Sequence, residues 1–358
     1  MTRSNFVATA CLLFSLSGAL RAGIVDVRGS VGVAIEEIAG GATVERNEVD
    51  EFLPQTSATL PIRAFGRVFS VQPSTPGAAV GAAQISDIGA AIEPNPQDFS
   101  LNLAMNSLDK DVFFRGRARA EEIRVVRFSR DELQLPAGVD TRVVESRLFL
   151  DGVLALFSAV PDRDLSGARV ALNVTIDRRP AMDSSASSFE RLLAGRIELL
   201  GTVSGQATSN ISGAIPADRV ISTSLMTSEN GLGSFPAIII PELVIPYTYV
   251  ARVDEEFELV ASISVEAECR SPDVGAVALI GTPVDDLRDI IDEVNVPPLT
   301  AGVVATVDSA RESTRTDDAG LDAPPNPAMI ACGGLGLEAA LMLMLMGVVG
   351  TRRRSRAA

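Results

Sequence analysis

The residues that look most like a ligand set are Asp162-Arg163-Asp164-Leu165-Ser166-Gly167. Oxygen-bearing side chains at alternate positions, followed by glycine, make the first half of a calcium loop. Asp162, Asp164 and Ser166 would be the ligands and Gly167 the sharp turn. The twelfth position is Asn173, where such a loop carries a bidentate glutamate, and the residues after Gly167 alternate like a strand. The same residue types also serve an ordinary turn between strands. A second candidate chemistry is paired carboxylates. Asp254-Glu255-Glu256 and Glu266/Glu268 could do acid–base work of the kind used in glycoside hydrolysis. Glu266 and Glu268 have the same parity along a strand and so share a face, while Asp254–Glu256 falls between two strands as a charged turn. Cys269 either pairs with another chain or packs as a small hydrophobe. Arg115, Arg117, Arg119, Arg124, Arg127 and Arg130 are interleaved with Glu121, Glu122, Asp131 and Glu132. That mixture points to a salt-bridged sheet face rather than an anion-binding patch. Asn173-Val174-Thr175 fits a glycosylation acceptor but lies in the middle of an alternating run.

Composition removes most other chemistry. The chain has no His and no Trp, two Tyr, three Cys and one Lys, Lys110. Without imidazole there is no Ser-His-Asp or Cys-His catalysis and no histidine metal site. Only Cys269 lies in the body, so no disulfide framework or zinc knuckle can form there. The lone lysine sits in Leu108-Asp109-Lys110-Asp111, outside any phosphate-loop motif. Few aromatic faces are available for stacking sugars or bases. No catalytic residue and no cofactor emerges, calcium aside.

The elements that must position these groups read as strands. Ala168–Ile176 and Phe257–Val265 alternate apolar and polar, as does Phe99–Leu103. Further strands are expected at Val25–Ile38, Ile62–Val71, Val112–Ala118, Ile123–Phe128, Arg196–Val203, Val244–Val253 and Val274–Ile280. Asp151-Gly152, between Val143–Leu150 and Val153–Phe157, has the form of a two-residue hairpin turn. Pro73–Ala79 and Glu93–Pro96 read as loops. One amphipathic helix is expected from Thr282, a cap, with Pro283 in the first turn and Leu287, Ile290, Ile291 and Val294 at helical spacing. Pro297-Pro298 end it. A second short helix is expected around Ser188–Ala194. The fold class is mainly β, an antiparallel sandwich, either one large unit or two with a boundary near 130–142. Hydrophobic helices are expected at both termini.

Both ends carry targeting chemistry. Residues 1–22 combine Arg3, an apolar run from Phe6 to Leu16 and small residues up to Ala22, the pattern of a secretory signal peptide with Gly23 as the new terminus. The body 23–308 leads into a polar, Pro-rich stretch, 309–327, that reads as a disordered stalk. In segment 328–358, Cys332-Gly333-Gly334 precedes an apolar run from Leu335 to Gly350 and the cluster Arg352-Arg353-Arg354. The run is short for a permanent span, which takes about 20 apolar residues, and Glu338 interrupts it. The basic cluster would stay cytoplasmic, leaving the body outside. This order of motif, apolar stretch and basic cluster resembles the tripartite C-terminal sorting signals of bacterial envelope proteins, the PEP-CTERM, GlyGly-CTERM and MYXO-CTERM types. The Pro-Glu-Pro triplet of the first type is absent. The leader implies signal peptidase as a partner, and the resemblance implies a membrane protease of exosortase or rhombosortase kind. A plain single-pass anchor is the alternative.

Without its two basic ends the body falls from a net charge of −15 to −20, which favours neither nucleic acid nor anionic lipid. The expectation is an exported, non-enzymatic cell-envelope or matrix protein of structural or adhesive type. The alternatives are a ligand-binding surface module stabilised by calcium, and a hydrolase that uses carboxylates alone.

Overall fold

The computed structural model describes residues 23–53, 62–69, 77–87, 97–107, 112–158, 164–181, 189–226, 234–281 and 314–317. They form the strands Gly23–Ala39 (β1), Ala42–Leu53 (β2), Ile62–Phe69 (β3), Ala78–Asp87 (β4), Gln97–Ser107 (β5), Val112–Arg127 (β6), Thr141–Ser158 (β7), Ala168–Pro180 (β8), Glu190–Gly201 (β9), Ala207–Gly213 (β10), Ile221–Met226 (β11), Ser234–Arg252 (β12), Glu256–Cys269 (β13), Val274–Ile280 (β14) and Thr314–Asp317 (β15). Sheet A runs β10-β9-β8-β13-β6-β1-β2, and sheet B runs β11-β12-β7-β14-β5-β4-β3 with β15 between β5 and β7. The sheets are antiparallel and enclose one hydrophobic core. The expected mainly β, antiparallel architecture is present. The leader, the Thr282–Pro298 helix, Asp162, Cys332-Gly333-Gly334 and the Arg352–Arg354 cluster lie outside the described residues.

Alternation explains most of sheet A. In β6, Phe114, Gly116, Ala118 and Ala120 turn inward while Arg115, Arg117 and Arg119 are exposed. In β13, Phe257, Leu259, Ile263 and Val265 face the same core. The edge strand β2 is rich in charge, and its Glu45, Arg46, Glu48, Asp50 and Glu51 discourage edge-to-edge association. Residues 129–140 connect β6 to β7, and Arg130 ties that loop by donating to the Pro136 and Val139 carbonyls and to Asp140. In each sheet the strands before this connection form one half (β6-β1-β2 and β5-β4-β3) and those after it the other, the halves meeting at β13–β6 and at β14–β5.

Four sequence expectations need correction. Asp151-Gly152 is not a hairpin turn, because β7 runs unbroken through it. Leu148 to Phe157 are buried on both faces, and a strand buried on both faces reads as one apolar run with no turn implied. Gly152 sits opposite Ile280 with φ of +155°, and a Cβ there would come within 2.4 Å of the Leu279 carbonyl oxygen. The glycine serves close approach, not chain reversal. The helix expected around Ser188–Ala194 is absent from its described part, Phe189–Ala194. From Glu190 onward the chain is β9, with Leu193, Ile197 and Leu199 inward at a period of two and a register shift against β8 between Ile176 and Asp177. Pairing with β8 overrides the local signals of a serine cap and a stop at Gly195. Ala78 and Ala79, read as loop, begin β4.

The fourth correction falls on the stalk. Thr314–Asp317 is strand β15, inserted into sheet B where β14 stops. Its polar residues point at polar partners. Thr314 Oγ1 accepts from the Asp151 amide at 3.1 Å. Thr316 Oγ1 donates to Glu122 Oε2 at 3.1 Å, and its carbonyl accepts from Arg124 Nη2 at 3.2 Å. Glu122 and Arg124 stand on the inner face of β6, 1% and 7% exposed at the side chain. Glu122 Oε1 lies 2.9 Å from Arg124 Nε but off the hydrogen-bonding direction, so that contact is one of charge.

Replacing Thr316 with valine keeps the shape and strips Glu122 Oε2 of its directed partner among the described residues. The expected loss is about 1–3 kcal/mol, read as a lowered urea midpoint with unchanged m-value. Thr316→Ser should retain most of the stability. An unchanged midpoint in the valine variant would show that β15 does not serve the buried pair.

Candidate functional site

The outer face of sheet A is where charged side chains converge. Cross-strand registry sets them in rows. Arg46, Glu36, Arg115, Glu268 and Arg169 lie opposite one another on β2, β1, β6, β13 and β8. The next row is Glu48, Ala34, Arg117, Glu266, Ala171 and Glu198, ending on β9. Opposite charges facing across strands attract, and a two-residue period keeps them on one side. Arg115 Nη2 donates to Glu36 at 2.5 Å. That hydrogen bond, with the Glu36 charge, pushes the Arg115 guanidinium up from its ordinary value. Arg169 donates to Glu198 at 2.6 Å and lies 3.7 Å from Glu266. Arg270 Nε donates to Glu268 at 2.5 Å.

One further pair crosses a strand. Arg119 on β6 donates to Asp50 on β2 at 2.9 Å, over the top of Gly32 on β1. A Cβ on Gly32 would fall 2.1 Å from the Asp50 carboxylate, so this bridge depends on a residue with no side chain.

These rows border an open groove of about 410 Å³. Ala34 leaves a dip in the charged surface beside Arg115, Arg117, Glu266 and Glu268. Arg117 differs from its neighbours: it is exposed, and among the described residues no carboxylate ion-pairs with it. Its cross-strand neighbour Glu266 is engaged by Arg169 instead. Arg117 is the free guanidinium of the groove, a planar donor fork suited to a carboxylate, sulfate or phosphate group.

Glu198 shows how tightly the lattice is wired. Burial pushes its carboxyl up, but donation from Arg196 at 2.8 Å and from Arg169 outweighs it, so the group is held below the ordinary carboxylate range.

The other sequence candidates fall elsewhere. Glu266 and Glu268 do share the outer face of β13, and each is neutralised by an arginine rather than facing a second carboxylate across a cleft. Asp254 and Glu255 form the turn into β13, with Asp254 at φ +59° and Glu255 paired to Arg178 at 3.1 Å. Asp164 accepts from the Ser166 amide at 2.7 Å, a local turn closing onto β8. Among the described residues no group of three metal-ligating side chains gathers there or elsewhere. Asn173 accepts from Arg196 at 2.5 Å on the outer face of sheet A. Cys269 is buried against sheet B, its thiol 3.8 Å from the Met105 carbonyl, and burial first, then the Glu268 charge, pushes that thiol well up. This matches a small buried hydrophobe, not an interchain link. Arg124 departs from the expected sheet face, since it turns into the core.

No family model matches the chain, and no curated protein matches it. Among solved structures it has a likeness to one described as "Structural basis for the promiscuous specificity of the carbohydrate-binding modules from the beta-sandwich super family". Identity is 7%, over 68% of this chain and 92% of the other, with a TM-score of 0.10. A second, described as "Structure of infectious bursal disease virus Gx strain", shows 10% identity over 74% and 67% of the two chains, also at a TM-score of 0.10. Likeness at that level carries no weight for fold or function. No helix among the described residues is long and apolar enough to cross a membrane.

Two outcomes check this description. A carboxylate whose folded pKa is depressed adds stability above its unfolded pKa and loses it as pH falls through the folded one. Glu198→Gln should therefore unfold at lower denaturant than the parent at pH 7. The gap should close as pH drops below the ordinary glutamate value of about 4.3, and a gap independent of pH would contradict the assignment. The Asp164 turn closes on its own backbone, so excess EDTA should leave the thermal midpoint unchanged. A fall reversed by Ca²⁺ would place an ion on Asp162, Asp164 and Ser166.

Proposed function

We propose that this chain is an exported, non-enzymatic envelope or matrix protein of structural or adhesive type, and that it makes its contacts through the outer face of sheet A. The observation that carries this reading is the groove around Arg117. Chemistry on a substrate calls for reacting groups held in a desolvated pocket with shifted proton affinity. Here the groove is open, and its carboxylates are tied to arginines. A flat face of paired charges with one free guanidinium suits recognition of a partner's surface. A ligand-binding module, the second reading, would use the same groove and the same Arg117 fork for an anionic group.

The export half of the proposal rests on the leader 1–22 and on the tail, with Cys332-Gly333-Gly334 as processing motif and Arg352–Arg354 as the cytoplasmic stop. In this scheme signal peptidase releases Gly23, and a sorting protease of exosortase or rhombosortase kind acts on the tail.

Both halves are tested by peptide mass mapping of protein labelled with phenylglyoxal on intact producer cells and, in parallel, after purification. The expected mature chain starts at Gly23 and ends near Ala331. Arg117 should be protected on cells and labelled in the purified protein, while Arg252, exposed on β12 of sheet B, is labelled in both. Equal labelling of Arg117 in the two samples would remove sheet A as the contact face. A retained Leu335–Ala358 peptide would replace sorting with a permanent anchor.

A further inference from the structure

The two sheets differ on their outer sides. Sheet A carries the charged lattice, whereas the centre of sheet B is buried on its outer side as well. Val80, Ala104, Val277, Ala155 and Ala237 lie opposite one another across β4, β5, β14, β7 and β12. All five are buried, and all lie on the side away from the core-facing Leu103, Ala278, Leu154 and Ile238. The neighbouring row holds Ala82, Asn102, Leu279 and Val153, and Phe157 lies across Gly275 beside it. Away from this centre the same outer face is open: Phe65 and Phe69 on β3 and Val244 and Val250 on β12 are exposed. No described strand or turn lies on that side of sheet B.

The chain itself indicates the occupant. It leaves the β5–β7 slot at Gly281, directly after β14, and re-enters the same slot at Thr314 as β15. Between them are 32 residues, whereas every other undescribed connection between strands is nine residues or fewer. Both ends of the excursion are thus fixed at the buried patch. Its sequence contains the stretch Pro283–Val294, with Leu287, Ile290, Ile291 and Val294 on one stripe and Asp285, Asp286, Arg288, Asp289, Asp292 and Glu293 elsewhere. Twelve helical residues measure about 18 Å. The four strands β4, β5, β14 and β7 span about 14 Å at their usual spacing. A helix and a sheet each bury one apolar side, and a layered domain joins them.

We propose that residues 282–313 dock on the outer face of sheet B, with the Leu287–Val294 stripe seated on the rows through Val80, Ala104, Val277 and Ala155. This makes the body a three-layered unit and is independent of the role assigned to sheet A.

The test uses the full chain with Ala155→Cys, a small change at a buried position. Maleimide labelling at residue 155, read by peptide mass, should be slower than in the Leu287→Asp/Ile291→Asp background by on the order of tenfold or more. Equal rates in the two backgrounds would overturn the proposal. Because the double variant perturbs folding, a second measurement stands beside it. Cysteines are placed singly at Leu287, Ile290, Ile291 and Val294, each with Ala155→Cys, and oxidised. At least one of these pairs should close within a single chain, with none closing for controls at Arg288, Asp289 or Asp292. Links only between chains would assign the face to a second copy, and the absence of any link would leave the segment elsewhere. Either result overturns the docking.

Discussion

Two opposite charges, Glu122 and Arg124, stand inside the sandwich, and taking them out of water is costly unless protein groups replace that water. Thr316 supplies two of them, its hydroxyl serving the carboxylate and its carbonyl the guanidinium. The chain therefore has to return to sheet B after β14 has ended and place a threonine at one register position, nearly two hundred residues after the pair. A shift of β15 by one residue would present Arg315 or Asp317 to the core and take both Thr316 contacts from the pair. The buried pair is thus better understood as fixing register than as adding stability.

The same pair shows what the sequence could and could not convey. Strands with one wet face were legible, because β6, β8 and β13 alternate on a period of two. The strands buried on both sides were not, since Leu148–Phe157 offers no alternation, and Asp151-Gly152 then carried a turn signal with no partner strand to contradict it. β15 was hidden for the opposite reason. Thr314 and Thr316 look solvated by type, and only the distant Glu122, Arg124 and Asp151 make them interior residues. In β9, a serine cap ahead and Gly195 behind suggested a helix until pairing with β8 made the segment a strand.

Arg115, Arg117 and Arg119 could be placed on a common face from spacing alone, and the carboxylates of β13 likewise. Which arginine meets which carboxylate depends on β1 and β13 lying beside β6 and on β8 lying beside β13, and these are far apart in the chain. That Arg117 is left over follows from two local facts: Ala34 is its neighbour on one side, and Glu266 is drawn away by Arg169 on the other. A free donor in a charged lattice is a property of registry, and no count of charges along the sequence would single it out.

The position of β15 also determines how the body would bear load. The strand is bonded to β5 on one side and β7 on the other, and the remainder of the chain continues from its end. A pull on that continuation along the strand axis strains both rows of hydrogen bonds together, in shear, instead of unzipping them one by one. It must also draw Thr316 off a buried ion pair before the strand can slide. A strand at a sheet edge would peel under the same tension, whereas β15 is gripped at the centre of the sheet.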